Sequence, residues 1–149
     1  MDNKKFVLDH MKNIGLQSAN KLQAEAPTLD GAAIISQEDY IPDFDPSKQY
    51  LNWTIGTVVK DNGQVWKLIQ PYDSNTYKDK PENMRAQWGL CHTKDPEKAK
   101  PYVEPHGQSG MYMKGECCIA EDGSVRRSKI DNNVWPTMEY PDGWEVVEI

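Results

Sequence analysis

Aromatic and hydrogen-bonding side chains occur together on a proline-bearing loop near the carboxyl end of the chain. Trp135 and Tyr140 follow a run of polar residues, Asp131, Asn132 and Asn133. A Trp or Tyr ring can stack on the face of a pyranose, while Asn and Asp exchange hydrogen bonds with sugar hydroxyls. Because a proline follows Trp135, we expect the Trp135 ring to lie on a turn-rich loop, away from any strand. The pattern predicts a carbohydrate site, with a core role for Trp135 as the alternative.

A second loop, residues 71–86, carries Tyr72 and Tyr77 in a polar, turn-rich setting. Tyrosines exposed on such a loop and flanked by Asn and Asp would suit sugar stacking in the same way. The alternative is that both rings cover the edge of a small core. We therefore include Tyr72 and Tyr77 among the candidate carbohydrate-binding residues.

The chain has no residue pattern typical of catalysis. It contains no glycine-rich phosphate loop, no Gly-x-Ser-x-Gly motif and no pair of histidines at ligand spacing. The acidic stretch 38–45 lacks the glycine and the oxygen pattern of the familiar calcium loop. A zinc site would need ligands such as Cys and His, but the spacing of the available residues matches no recognised zinc motif: Cys91, His92, His106 and Cys117. We expect a protein that is not an enzyme and has no metal or cofactor, with its cysteines acting as small hydrophobic residues.

The Trp135 loop belongs to a segment, residues 110–147, whose turns and aromatics predict a complete small β-module. Strands are predicted over 116–120 and 124–130, joined by a tight turn that ends in Gly123. Asp-Gly between two apolar runs favours a hairpin, since glycine takes the positive φ that such turns require. A closing strand is predicted over 144–147, after the Trp135 loop.

The same order of residues occurs upstream, which indicates an internal duplication. Gly56 aligns with Gly115, an Asn62-Gly63 turn aligns with the later hairpin turn, and Trp88 takes the place of Trp144. The sequence therefore predicts a mainly β fold with two small three-stranded antiparallel modules in tandem. Each of the two tryptophans is predicted to lie in its module's core, because units this small have few other large residues to bury.

The amino-terminal part has a helical pattern. Apolar residues recur at helical spacing over 3–24, in the stripe Val7, Met11, Ile14 and Leu22, and Pro27 ends the pattern. This narrow stripe needs a partner surface, either its own chain or a second copy in a homo-oligomer. We divide the chain into a helical segment and connector over 1–46, a first module over 47–91, a linker over 92–107 and a second module over 108–149.

The residues of the second module resemble a known family. Tyr112, Gly115, Gly123 and Trp144 fall on the marked positions of the small chitin-binding module of carbohydrate-binding families 5 and 12. Residues 131–141 are most similar to the copies found in bacteriophage and prophage tail proteins. The resemblance implies a glycan-binding module. Where chitinase-borne copies carry paired aromatics, this chain has Lys-Ile-Asp at 129–131, so any platform must be built from the Trp135 loop.

Charge and composition exclude several classes of partner. The chain has 17 basic and 23 acidic residues, a net charge of −6. This balance argues against binding to nucleic acid or to an anionic membrane, where affinity rests on basic side chains. The sequence has neither an apolar run long enough to span a membrane nor the pattern of a secretory signal.

The sequence is compatible with two functions. One is a tail-associated protein that binds a chitin-like or cell-surface glycan. The other is a structural tail or fibre component that contacts other tail proteins and binds no sugar. We expect synthesis in the cytoplasm and a final location on the virion or outside the cell after lysis.

Overall fold

The computed structural model describes residues 17–107 and 109–148. Residues 17–25 are helical and form α1, a 3-10 turn follows at Ala26–Thr28, and a short second helix, α2, covers Gly31–Ile35. The side chain of Asp30 caps α2 by accepting a hydrogen bond of 2.8 Å from the Ala33 N–H. The remainder is built from β-strands and turns, so the predicted mainly β fold with a helical amino-terminal segment is confirmed.

The helical segment packs on the first sheet. Leu22 and Ala26 are buried in one cluster with Ile34 and Ile35 of α2 and with Val58 of the sheet. The described part of the helical stripe therefore contacts its own chain. The other stripe residues, Val7, Met11 and Ile14, lie outside the described residues.

The first sheet has three antiparallel strands, β1 (Val58–Asp61), β2 (Gln64–Leu68) and β3 (Trp88–Leu90). Asn62 and Gly63 join β1 to β2, and both have positive φ, at 51° and 75°. Two successive residues of this kind are typical of a type I′ hairpin turn, whose twist matches that of the strands. One face of the sheet packs on the helices, and the other packs on a cluster of aromatic side chains.

The second sheet contains β4 (Lys100–Pro101), β5 (Cys117–Ile119), β6 (Val125–Ser128) and β7 (Trp144–Val147), in that order. β5, β6 and β7 form the predicted antiparallel module, while β4 runs parallel to β5. The short β4 lies inside the segment predicted as a linker, 92–107. That segment thus supplies an edge of the second sheet, in addition to joining the modules.

The two modules repeat the same hydrogen bonds at their first turns. The Gly56 N–H donates to the Leu68 carbonyl at 2.7 Å, and the Gly115 N–H donates to the Ser128 carbonyl at 2.9 Å. Both glycines have positive φ, at 96° and 94°, which other residues adopt only at a cost. The strands that follow run in the same order and direction in both modules, as the duplication predicts.

The closing tryptophans occupy equivalent places, each at the start of the third antiparallel strand of its module. Trp88 is fully buried and Trp144 is 3% exposed. The ring of Tyr50 lies 5.3 Å from that of Trp88 and the ring of Tyr112 lies 5.2 Å from that of Trp144, both edge to face. These contacts confirm the predicted core role of the two tryptophans.

The repeat extends upstream of both predicted modules. Phe44 stacks on Tyr50 with ring centroids 5.6 Å apart, and Tyr102 stacks on Tyr112 at 5.5 Å. The residues before Phe44 and Tyr102 each form a parallel bridge with the first strand of the hairpin that follows. Each repeat therefore begins with a short parallel segment that delivers an aromatic ring to the core.

All of the cysteines are buried and none forms a disulfide. Burial raises the pKa of the Cys91 and Cys118 thiols to about 12, so neither thiol ionises near neutral pH. This agrees with their expected role as small hydrophobic residues. Within the ranges that the structure describes, no helix has the length and apolar character needed to cross a membrane.

Candidate functional site

Asn133 fixes the base of the Trp135 loop to the second sheet. Its side-chain amide donates to the Ser128 hydroxyl at 3.0 Å and to the Gly143 carbonyl at 3.2 Å, and its oxygen accepts from the Trp135 N–H at 3.1 Å. The side chain is fully buried. The prediction that Asn133 contacts a sugar is therefore wrong, because every one of these groups is already occupied inside the protein.

Trp135 and Tyr140 lie together on the surface of this loop. Their side chains are 51% and 42% exposed, and their ring centroids are 5.7 Å apart with the planes tilted by 50°. The backbone of Trp135 is held on both sides, since its carbonyl also accepts a hydrogen bond of 3.0 Å from the Trp144 indole. A fixed backbone carrying an exposed ring presents a flat apolar surface without a large loss of entropy on binding.

Gly143 makes room for the Tyr140 ring. A Cβ atom at position 143 would lie 2.7 Å from Cδ1 of that ring, closer than carbon atoms approach. The Tyr140 N–H also donates to the Pro136 carbonyl at 3.0 Å. The ring of Tyr140 is thus positioned by a close contact with the backbone of the next turn.

Asp131 and Asn132 are exposed and stand at the beginning of the same loop. The Asp131 carboxylate accepts a hydrogen bond of 2.9 Å from the Lys114 N–H, which leaves its other oxygen open to solvent or ligand. Asn132 has a positive φ of 54°, so it also serves as a turn residue. Both remain available for hydrogen bonds to a ligand beside Trp135.

The two tyrosines of the first-module loop have different environments. Tyr77 is 55% exposed, as expected of a recognition residue. Tyr72 is only 5% exposed and its hydroxyl accepts a hydrogen bond of 3.0 Å from the Trp88 indole. The prediction of an exposed Tyr72 is therefore wrong, because its ring fills the aromatic core and its hydroxyl satisfies the polar edge of Trp88.

A cavity of about 640 Å³ lies beside Trp135. Trp135 and Tyr102 contribute rings to its lining, and Met138 adds an apolar side chain. The remaining lining includes the carboxylates Glu104, Glu121 and Glu139. This size falls within the range of small-molecule sites, which combine apolar walls with a few polar groups.

The electrostatics of this cavity disfavour anions. Burial, which is the larger cause, and the nearby Glu104 carboxylate together raise the pKa of the Tyr102 hydroxyl to about 12. The hydroxyl is therefore neutral and can donate a hydrogen bond at physiological pH. Among the described residues, no Lys, Arg or His lines the cavity. The arrangement suits hydroxyl groups of an uncharged ligand.

The described part of the chain offers no group of three or more His, Cys, Asp and Glu side chains that could hold a metal ion. The buried His92 ring has its Nε2 2.8 Å from the Gly110 carbonyl. The exposed loop thus offers stacking and hydrogen bonding as its chemistry.

Neither Tyr102 nor the acidic lining was among the predicted site residues. Tyr102 lies in the segment predicted as a linker, and the glutamates occupy loops and turns, where charged residues are expected on any surface. One signal was present: Tyr102 precedes Tyr112 much as Phe44 precedes Tyr50, so extending the repeat upstream would have identified it.

No protein-family model matches this chain, and no curated protein matches it. The function is therefore inferred from the geometry of the site and from the residues of the second module.

Proposed function

We propose that this chain is a non-catalytic carbohydrate-binding protein that holds a glycan on Trp135 and Tyr140. The observation that carries the proposal is the exposed ring pair on a backbone fixed by Asn133 and Trp144. Exposed aromatic rings contribute affinity when they lose contact with water against a sugar face. The open carboxylate of Asp131 and the side chain of Asn132 supply hydrogen bonds at one side of this platform.

We further infer that the protein belongs to a phage or prophage tail. This part rests on the resemblance of residues 110–147 to the modules of tail proteins. A tail-associated glycan binder would meet a chitin-like or cell-surface polysaccharide after lysis. Tyr77 on the first module could add a second contact to a long polysaccharide, since it is the more exposed of the two tyrosines on its loop.

Retention on insoluble polysaccharides tests the proposal. Chitin and a panel of cell-wall polysaccharides are incubated with the wild type and with Trp135→Ala. If the ring stacks on sugar, the variant loses roughly 1 to 3 kcal/mol of binding, which is about five- to 150-fold in Kd. The thermal midpoint changes little, because half of the ring is already exposed.

A matched pair of tyrosines provides the control. Tyr140→Ala removes a ring from the platform, whereas Tyr40→Ala removes a ring of the same 42% exposure from the helical segment. Only the first substitution should weaken retention. A wild-type protein that is retained on no polysaccharide would overturn the proposal and favour a structural tail component.

A further inference from the structure

A second cavity, of about 290 Å³, lies where the two modules meet. The first module contributes Asp61, Trp66 and Glu82 to its wall, and the second contributes Tyr102. Gln64 closes one side, since its amide donates to the Pro101 carbonyl at 3.0 Å. We call this space the junction cavity. Its volume is close to the lower limit of small-molecule sites.

Two residues that line the junction cavity carry buried donors without a protein partner. The indole Nε1 of Trp66 and the hydroxyl of Tyr102 find no hydrogen-bond acceptor among the described residues. Trp66 is only 2% exposed. Buried polar groups are nearly always hydrogen-bonded, since an unpaired donor is costly. A ligand oxygen in the junction cavity would satisfy such a donor.

The carboxylates of the junction cavity favour a ligand that also donates hydrogen bonds. Asp61 and Glu82 line the same wall, and burial raises the pKa of Asp61. A sugar hydroxyl both accepts and donates a hydrogen bond, so it can pair with the indole N–H and with a carboxylate at once. A phosphate or a uronate can accept but would meet like charge.

Tyr102 stands between the junction cavity and the cavity beside Trp135. Its side chain lines both spaces. The ring is held in place by stacking on Tyr112 and by an edge-to-face contact with Trp144 at 6.2 Å. A linear glycan lying on Trp135 could therefore pass Tyr102 and place a further sugar unit in the junction cavity.

Both cavities have the same sign of charge. Five carboxylates line them, Asp61 and Glu82 at the junction and Glu104, Glu121 and Glu139 beside Trp135. No Lys, Arg or His is found in either lining within the described chain. Carboxylates in the lining repel an anionic ligand more strongly than they weaken the binding of an uncharged one.

We propose that the two cavities are subsites of one cleft that binds a linear, uncharged oligosaccharide and rejects anionic glycans. The inference rests on the proposed function and adds to it a second subsite and a class of ligand. Trp135 and Tyr140 bind one part of the chain. Trp66, Tyr102 and the junction carboxylates bind the next.

Calorimetric titration with chitin oligosaccharides, from the disaccharide upwards, tests the second subsite. Affinity should rise with chain length until both cavities are filled. Tyr102→Phe removes one unpartnered hydroxyl and keeps the ring, so the fold should be undisturbed. We expect this variant to bind the longest oligosaccharide about three- to tenfold more weakly, the effect of one hydrogen bond. The loss of affinity should grow with chain length, because the disaccharide is short enough to rest on Trp135 and Tyr140 alone.

Matched variants separate this site from general effects. Tyr40→Phe removes an exposed hydroxyl from the helical segment, and Glu145→Gln removes a carboxylate that pairs with Arg127 on β6. Neither should change the affinity. Glu82→Gln should increase the weak affinity for oligogalacturonate, an anionic probe, and Glu145→Gln should not.

The outcomes distinguish the two proposals. If Trp135→Ala weakens binding but Tyr102→Phe equals the wild type at every chain length, the junction cavity is not a subsite and the platform stands. Equal affinity for oligogalacturonate and chitin oligosaccharides would refute the charge argument. If no saccharide binds to the wild type, the platform and the second subsite both fall.

Discussion

Acid should destabilise this protein through the buried imidazole of His92. His92 is 9% exposed, and its ring stacks on that of Tyr112 with centroids 3.7 Å apart. The pKa of His92 is lowered to about 4, mainly by burial; the hydrogen bond to the Gly110 carbonyl opposes this shift and the nearby Arg85 adds to it. Since a carbonyl can only accept, the neutral ring donates its Nε2–H to Gly110.

The sign and size of the effect follow from proton linkage. In the unfolded chain His92 has its ordinary pKa of 6.5, so between pH 6.5 and about 4 the unfolded state binds the extra proton. The free energy of unfolding therefore falls as the pH falls through this window. At about 1.4 kcal/mol for each pH unit, the loss from pH 7.5 to pH 4 is about 3 kcal/mol.

Urea denaturation at a series of pH values measures this loss, with His92→Gln as the comparison. Glutamine keeps an N–H near the Gly110 carbonyl and does not titrate. The variant should be less stable at neutral pH but should lose about 3 kcal/mol less than the wild type on acidification. Glu116, whose pKa burial raises, acts in the opposite direction in both proteins and cancels in the comparison. Parallel pH profiles for the two proteins would refute the assignment to His92.

Two further predictions concern stability. Asn133→Ala should lower the free energy of unfolding, measured by urea denaturation, by roughly 2 to 4 kcal/mol, because it removes three hydrogen bonds and leaves buried partners unpaired. A loss below about 1 kcal/mol would mean that the protein does not need the hydrogen bonds of Asn133. Gly56→Ala should lower the thermal midpoint more than Gly123→Ala, since a Cβ at 56 would lie 2.6 Å from the Pro27 backbone, whereas nothing lies within 4 Å at 123. Both glycines have positive φ, so the second variant measures the conformational cost alone, about 1 to 2 kcal/mol, and equal losses would contradict the packing argument.

The hairpins could be predicted from the sequence because their signals are local. Asn62-Gly63 and Gly123 specify positive φ at fixed places, and the flanking residues show which strands the turns join. The burial of Trp88 and Trp144 could be predicted as well, since a module this small must bury its largest side chains.

The fourth strand and the junction cavity depend on contacts between distant parts of the chain. β4 has only two residues and one of them is Pro101, so nothing in its composition indicates a strand. Its pairing with β5 spans a long loop, residues 102–116. Trp66 and Tyr102 line one cavity only because the modules pack side by side, which no pattern within either module specifies.

The Trp135 loop and the Tyr72 loop each accept a hydrogen bond from the closing tryptophan of their module, but they use different acceptors. In the first module the Trp88 N–H donates to the hydroxyl of Tyr72 at 3.0 Å, which commits that side chain to the core. In the second module the Trp144 N–H donates to the main-chain carbonyl of Trp135, also at 3.0 Å. A main-chain acceptor leaves the side chain unused, so the ring of Trp135 is free to face solvent. This difference between a side-chain acceptor and a backbone acceptor accounts for the position of the exposed aromatic pair, which lies on the second module while Tyr72 is buried in the first.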